Sequence, residues 1–188
     1  MLGGLHVIYE LPQVTGLFHT GLAMLIVGLL AGQLVVTWPL AQVLSQQTVN
    51  IFSGTRFSTW VGLTAVATYA LLLTGSYVTR SGASLVCPSF PLCGSEAEAL
   101  RWLINIQMLH RFVAFSVALL TAVMLVWLWR SVNRKDRSLS LAAYILGGLL
   151  LLQFGLGISN VLLRLPMWTR ILDLTVGTVF WAGIVVLW

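Results

Sequence analysis

Five uninterrupted apolar stretches constrain this chain more than anything else in it. They run roughly over Thr15–Trp38, Trp60–Val78, Trp102–Trp129, Leu139–Leu163 and Met167–Trp188. Crossing a hydrocarbon core ~30 Å thick takes about 20 largely apolar residues in α-helix. Backbone groups in lipid find no water, so each stretch must bond its own N–H and C=O groups as a helix. Trp38, Trp60, Trp102, Trp129, Trp168 and Trp188 fall at or near the ends, where interfacial aromatics collect. Of the 188 residues, 59% are hydrophobic and only 8% charged, against about a quarter charged in ordinary soluble domains. A soluble enzyme, a nucleic-acid binder and a disordered chain are all excluded. The formal charge of +5 rests on ten basic residues, too few for a nucleic-acid face but suited to basic loops beside a bilayer. The expected fold is all-α: a polytopic membrane protein with five transmembrane helices and the lipid bilayer as its first partner.

The opening MLGGLHVIYEL is apolar but too short to span, and it lacks the basic region of a signal peptide. Arg130, Arg134, Lys135 and Arg137 crowd the connection between the third and fourth spans, which marks that side as cytoplasmic. Alternation then places the loop over residues 79–101 on the outer side. Residues 1–57 read as a lead-in segment, a first helix at about 15–38 and a cytoplasmic loop, and residues 58–188 as a four-helix transmembrane bundle. Cys87 and Cys93, the only cysteines, lie together in the run CPSFPLC of the outer loop. An oxidising compartment favours a disulfide there, the other reading being two unpaired thiols. Two sulfurs without a histidine make half a tetrahedral metal site, so a metal is not expected in that loop.

Ionisable groups inside a membrane are functional candidates. His110 sits eight residues after Trp102, about 12 Å along its helix, and His19 lies at a similar depth. Each could be a neutral imidazole bonded between helices or an axial ligand of haem iron. Arg111 could pair with a haem propionate or snorkel to headgroups. A shift of 154 residues lays Gly3, Val7, Leu11 and Pro12 on Gly157, Val161, Leu165 and Pro166, which reads as an internal duplication. In both copies a Leu-Pro helix start is followed seven residues later by a polar residue, His19 in one and Asp173 in the other. Asp173 is the single acid within the spans. Arg170, one turn earlier, is its nearest partner by helix spacing. A proton-handling group or a degenerate ligand position facing His110 are the alternatives.

These residues resemble the haem A synthase family. The run GSYVTRSGASLVCPSFPLC, from Gly75 to Cys93, resembles its helix end, arginine and Cys-Pro-x-Trp-Pro-x-Cys loop. LHRFVAF around His110, GGLHVIYELP and FHTGLAMLIVGLL are similar to its pattern too. The resemblance implies two pseudo-symmetric four-helix halves that hold haem between histidines, with this chain supplying the last helix of the first half and all of the second. It implies oxidation of the methyl group of haem O to the formyl group of haem A for cytochrome oxidase assembly. By it, His19 and His110 are haem-iron ligands, Arg111 binds the cofactor (haem b, or haem O and haem A as substrate and product), and Cys87 and Cys93 form the second-half disulfide. The family's final histidine falls on Asp173, and Phe90 replaces the loop tryptophan. Glu10 does not occupy the position of the glutamate that the family needs in its first outer loop, so no catalytic base is assigned. The alternative is a catalytically degenerate member, a structural or haem b-binding subunit of a respiratory or photosynthetic membrane complex. A homo-oligomer or larger membrane complex is the implied setting, in a bacterial plasma membrane or the mitochondrial inner membrane. A third reading is a cytochrome b-like carrier that uses His19 with His110 across one pocket.

Overall fold

The computed structural model describes residues 13–39, 42, 46, 55–93, 100–131 and 137–188. Five long helices carry nearly all of it: α1 (Gln13–Thr37), α2 (Thr55–Arg80), α3 (Arg101–Ser131), α4 (Arg137–Leu162) and α5 (Met167–Leu187), with a 3-10 turn at Ala83–Leu85. All five are long and apolar enough to cross a membrane, and the described residues contain no strand. Four of the helices run past the apolar stretches that announced them. α2 starts at Thr55 rather than Trp60 because polar residues at a headgroup interface can continue a helix begun in lipid. Its 26 residues span roughly 39 Å at 1.5 Å each. The N-terminal copy of the repeat, with Gly3, Val7, Leu11 and Pro12, lies outside the described residues, as do His6, Glu10, Arg134 and Lys135.

Helices α2 to α5 close a four-helix ring, and α1 lies outside it against α2 and α5. The apolar core sits at the end away from the cysteine loop. Phe57 and Val61 of α2, Met124 and Leu128 of α3, Leu139 and Leu146 of α4, and Phe180 and Ile184 of α5 meet there. The other half, toward the cysteine loop, holds the buried polar side chains Gln107, Arg111, Asn160 and Thr169. That division leaves these buried polar groups of the ring at one end. The outer surface is apolar: Leu29 is 71% exposed, Phe112 72% and Leu151 75%. Contiguous apolar surface on this scale needs lipid or protein against it.

Lipid tails remove the hydrophobic drive between helices, so association rests on close packing and hydrogen bonds. The indole of Trp181 on α5 fills the space over Gly28 on α1, and its Nε1–H donates to the Ala65 carbonyl of α2 at 2.9 Å. Tyr69 packs beside that indole at 5.6 Å and donates to the Gly21 carbonyl of α1 at 3.1 Å. Thr64, Thr68 and Thr121 turn their hydroxyls back to carbonyls four residues earlier, so none of these buried groups is left open. α2 ends on the basic Arg80, which suits the negative end of the helix dipole, and Gly82 follows at φ 77°, where a glycine is the least strained residue. The turn into α5 passes Arg164 and Leu165, both at φ 59°. Pro166 then caps α5 with φ −60° and ψ 149°, the Leu-Pro start read from the sequence.

Candidate functional site

The cysteine loop is held from below by α3. Cys87 and Cys93 form a disulfide with their Cα atoms 5.2 Å apart, as their shared loop led us to expect. Pro88 and Pro91 have no N–H, and the main-chain carbonyls of the loop turn inward. Arg111 meets them. Its Nη1 donates to the carbonyls of Ser89 at 2.8 Å and Pro91 at 2.9 Å, and its Nη2 to that of Cys87 at 2.9 Å. The guanidinium carbon lies 5.9 Å from the centre of the Phe90 ring, which leads on through Phe115 to Phe154. This clamp is a contact the sequence reading missed. Its one signal was a proline-rich loop with carbonyls to satisfy and an arginine on the next helix.

One residue earlier, His110 points to α2. Its Nδ1 lies 3.0 Å from the Thr74 hydroxyl, which itself donates to the Leu71 carbonyl at 2.9 Å. The imidazole rests on Gly75: a Cβ built there would stand 3.2 Å from His110 Cε1. Gly75 thus gives the ring room to enter the gap between α2 and α3. A β-branched side chain removes that room. Gly75→Val is expected to turn the imidazole out of the gap and reduce any ligand binding through His110 at least tenfold, about 1.4 kcal/mol. Gly75→Ala needs a shift of only a few tenths of an ångström and should be far milder. Ligand titration of the two variants side by side measures the difference.

Asp173 on α5 accepts a hydrogen bond from Gln153 of α4 at 2.6 Å. Arg170, the partner favoured by helix spacing, is exposed. Gly177, one turn below Asp173, touches Leu72 of α2 and the Gln153 amide. That register sets Asp173 near the level of Thr74 and Gly75, so His110 and Asp173 approach the same end of the ring at similar depth. Three side-chain oxygens in the helices (Gln107 Oε1, Gln153 Oε1 and Asn160 Oδ1) and Arg111 Nε are buried without a partner among the described residues. His19 is exposed on α1. Its neighbour Thr20 accepts from Ser76 of α2 at 3.2 Å, whereas Thr74, some 200° away around the same helix, meets His110. Thr20 and His110 therefore meet different faces of α2. The described residues contain no cluster of three His, Cys, Asp or Glu side chains that could hold a bare metal ion. A porphyrin iron asks less of a protein, since one imidazole serves as an axial ligand.

Comparison with known proteins bears on this geometry. The model of the family described as cytochrome oxidase assembly protein matches residues 1–185. A haem A synthase of Shouchella clausii is 31% identical over 105 residues, 55% of this chain and 35% of that protein. A haem A synthase of Halalkalibacterium halodurans is 35% identical over 95 residues, 50% of this chain and 32% of that protein. The aligned segments thus span about a third of either relative. With the family match running through all five helices, the chain belongs to the haem A synthase family of cytochrome oxidase assembly proteins.

Proposed function

We propose that this chain forms a haem-ligating half of a membrane oxidoreductase that converts the methyl group of haem O to the formyl group of haem A for cytochrome oxidase assembly. The observation that carries the proposal is the seating of His110, whose ring is wedged against Gly75 and tied at Nδ1 while Nε2 has no hydrogen bond among the described residues. One imidazole is a donor that suits haem iron, and His110 would hold haem b, or haem O and haem A as substrate and product. Haem, when bound, supplies the redox chemistry, and the protein supplies ligation, orientation and a dry setting. In this reading His110 ligates through Nε2, and the Arg111 clamp closes the loop over the site. The buried Arg111 Nε–H, without an acceptor among the described residues, would be the donor for a propionate. His19, on the exposed face of α1, would ligate a second haem whose other ligand comes from a helix outside these five, in the same polypeptide or in an associated one. The cysteine loop faces the outer side of a bacterial plasma membrane or a mitochondrial inner membrane.

One observation favours the second reading, a degenerate member acting as a structural or haem b-binding subunit. Asp173 stands where the family would place its last histidine. A carboxylate is not among the common protein ligands of haem iron, and this one is already engaged by Gln153. An optical spectrum before and after dithionite separates the readings. Wild-type protein purified with haem should show a Soret band and reduced α band, and His110→Ala should lose most of that absorbance. Haem retained in both His110→Ala and His19→Ala removes these residues as ligands. A haem-free wild-type protein leaves only the scaffold.

A further inference from the structure

The contacts around Thr74 bear on which nitrogen of His110 carries the proton. A hydroxyl has one hydrogen and can accept at its lone pairs. The Leu71 carbonyl, 2.9 Å from Thr74 Oγ1, can only accept, so a bond there uses that hydrogen. With that bond made, Thr74 is left as the acceptor toward His110 Nδ1, at 3.0 Å. Both contacts are hydrogen bonds at once only when the imidazole donates from Nδ1, and a neutral ring that carries its proton there has an unprotonated Nε2.

We infer that Thr74 is the positioning residue of His110: it accepts the Nδ1–H bond, locks the imidazole in the tautomer with a bare Nε2, and presents that lone pair to an iron. The inference rests on the haem-ligating reading of His110 for its purpose, but not for its geometry. Three constraints converge on one ring. Gly75 allows it into the gap, Thr74 fixes its rotation and tautomer, and the Leu71 carbonyl fixes the hydroxyl of Thr74 in turn. The outer hydrogen bond of a metal-ligating histidine raises ligand basicity, and its loss commonly weakens metal affinity about 10- to 100-fold. Position 74 has one more property. Serine can reproduce the bond, while valine keeps the shape and cannot accept.

The test uses the whole chain in lipid nanodiscs, with histidine labelled at both ring nitrogens, and haem b as the added probe. His110 signals are assigned by their disappearance in His110→Asn. In the haem-free protein the nitrogen chemical shifts should report an Nδ1–H, bare-Nε2 ring. Thr74→Ser should keep that pattern, and Thr74→Val should lose it for a mixture of tautomers. In haem titrations Thr74→Val should bind 10- to 100-fold more weakly and show a raised reduction potential, because a less basic imidazole stabilises ferric iron less. Thr74→Ser should stay within about threefold of wild type. An Nε2–H tautomer in the wild type, or the same tautomer in wild type and Thr74→Val, overturns the assignment. A wild-type protein with the Nδ1–H ring that still binds no haem overturns the ligand reading and leaves Thr74 as the residue that sets the tautomer.

Discussion

Arg111→Met should open the cysteine loop, making Cys87–Cys93 reducible on the order of 100-fold faster than in the wild type. Three main-chain carbonyls, those of Cys87, Ser89 and Pro91, share one guanidinium. Methionine follows the same path through the helix gap but donates nothing. A buried acceptor left without a donor costs about 1–3 kcal/mol, and the three do not weigh equally. Ser89 and Pro91 are exposed and can turn toward water, whereas Cys87 is 1% exposed and cannot do so without leaving its seat. A total of about 3 kcal/mol follows, which raises the open-loop population by roughly two orders of magnitude. Thiol attack on a disulfide depends on access to the sulfur, and the burial of Cys87 is the barrier that the clamp maintains. Timed reduction with dithiothreitol, quenched and read by thiol labelling, measures the effect. Arg111→Lys should fall between, since one ammonium lacks the planar fork that reaches several acceptors at once. Unchanged reduction rates in both variants would show that the loop holds itself.

How much of this was legible in the sequence depends on which question is asked of it. The five spans were legible because lipid leaves one way to satisfy a backbone, and their apolar length is written locally. The disulfide was legible because its two cysteines lie in one short loop. The rotation of each helix about its own axis was not. In a soluble helix the polar stripe marks the outward face, but here lipid and core are both apolar and the pattern carries little direction. Arg111 shows the consequence. Neighbouring positions diverge by about 100°, so its place beside His110 said nothing of the loop carbonyls above it. Asp173 shows the same: helix spacing offered Arg170, and the structure pairs it instead with Gln153, on another helix. His110 likewise finds its hydrogen-bond partner in Thr74, 36 residues earlier in the chain. Local spacing finds candidates, but tertiary register chooses their partners.

The Gly28-x-x-x-Gly32 pair reads from sequence as one helix-packing motif, and the structure divides it. The space over Gly28 is already filled by the Trp181 indole, while nothing lies within 4 Å of a Cβ built at Gly32. Gly28→Leu should therefore displace Trp181. That indole also donates to the Ala65 carbonyl of α2 and packs against Tyr69, so one added side chain would loosen α1, α2 and α5 together. Overpacking costs about 1–3 kcal/mol and a lost hydrogen bond about 1, for a destabilisation of about 3 kcal/mol. Gly32→Leu is the control on the same helix face family, one turn on, and should stay within about 0.5 kcal/mol of wild type. Thermal unfolding of both variants in one detergent measures the contrast. Trp181→Phe keeps an aromatic ring but leaves more room over Gly28, so it should recover part of the Gly28→Leu loss in the double variant. Such non-additivity is the mark of residues in direct contact. Equal destabilisation by the two leucines would restore the two-glycine motif and remove Trp181 as the reason for Gly28.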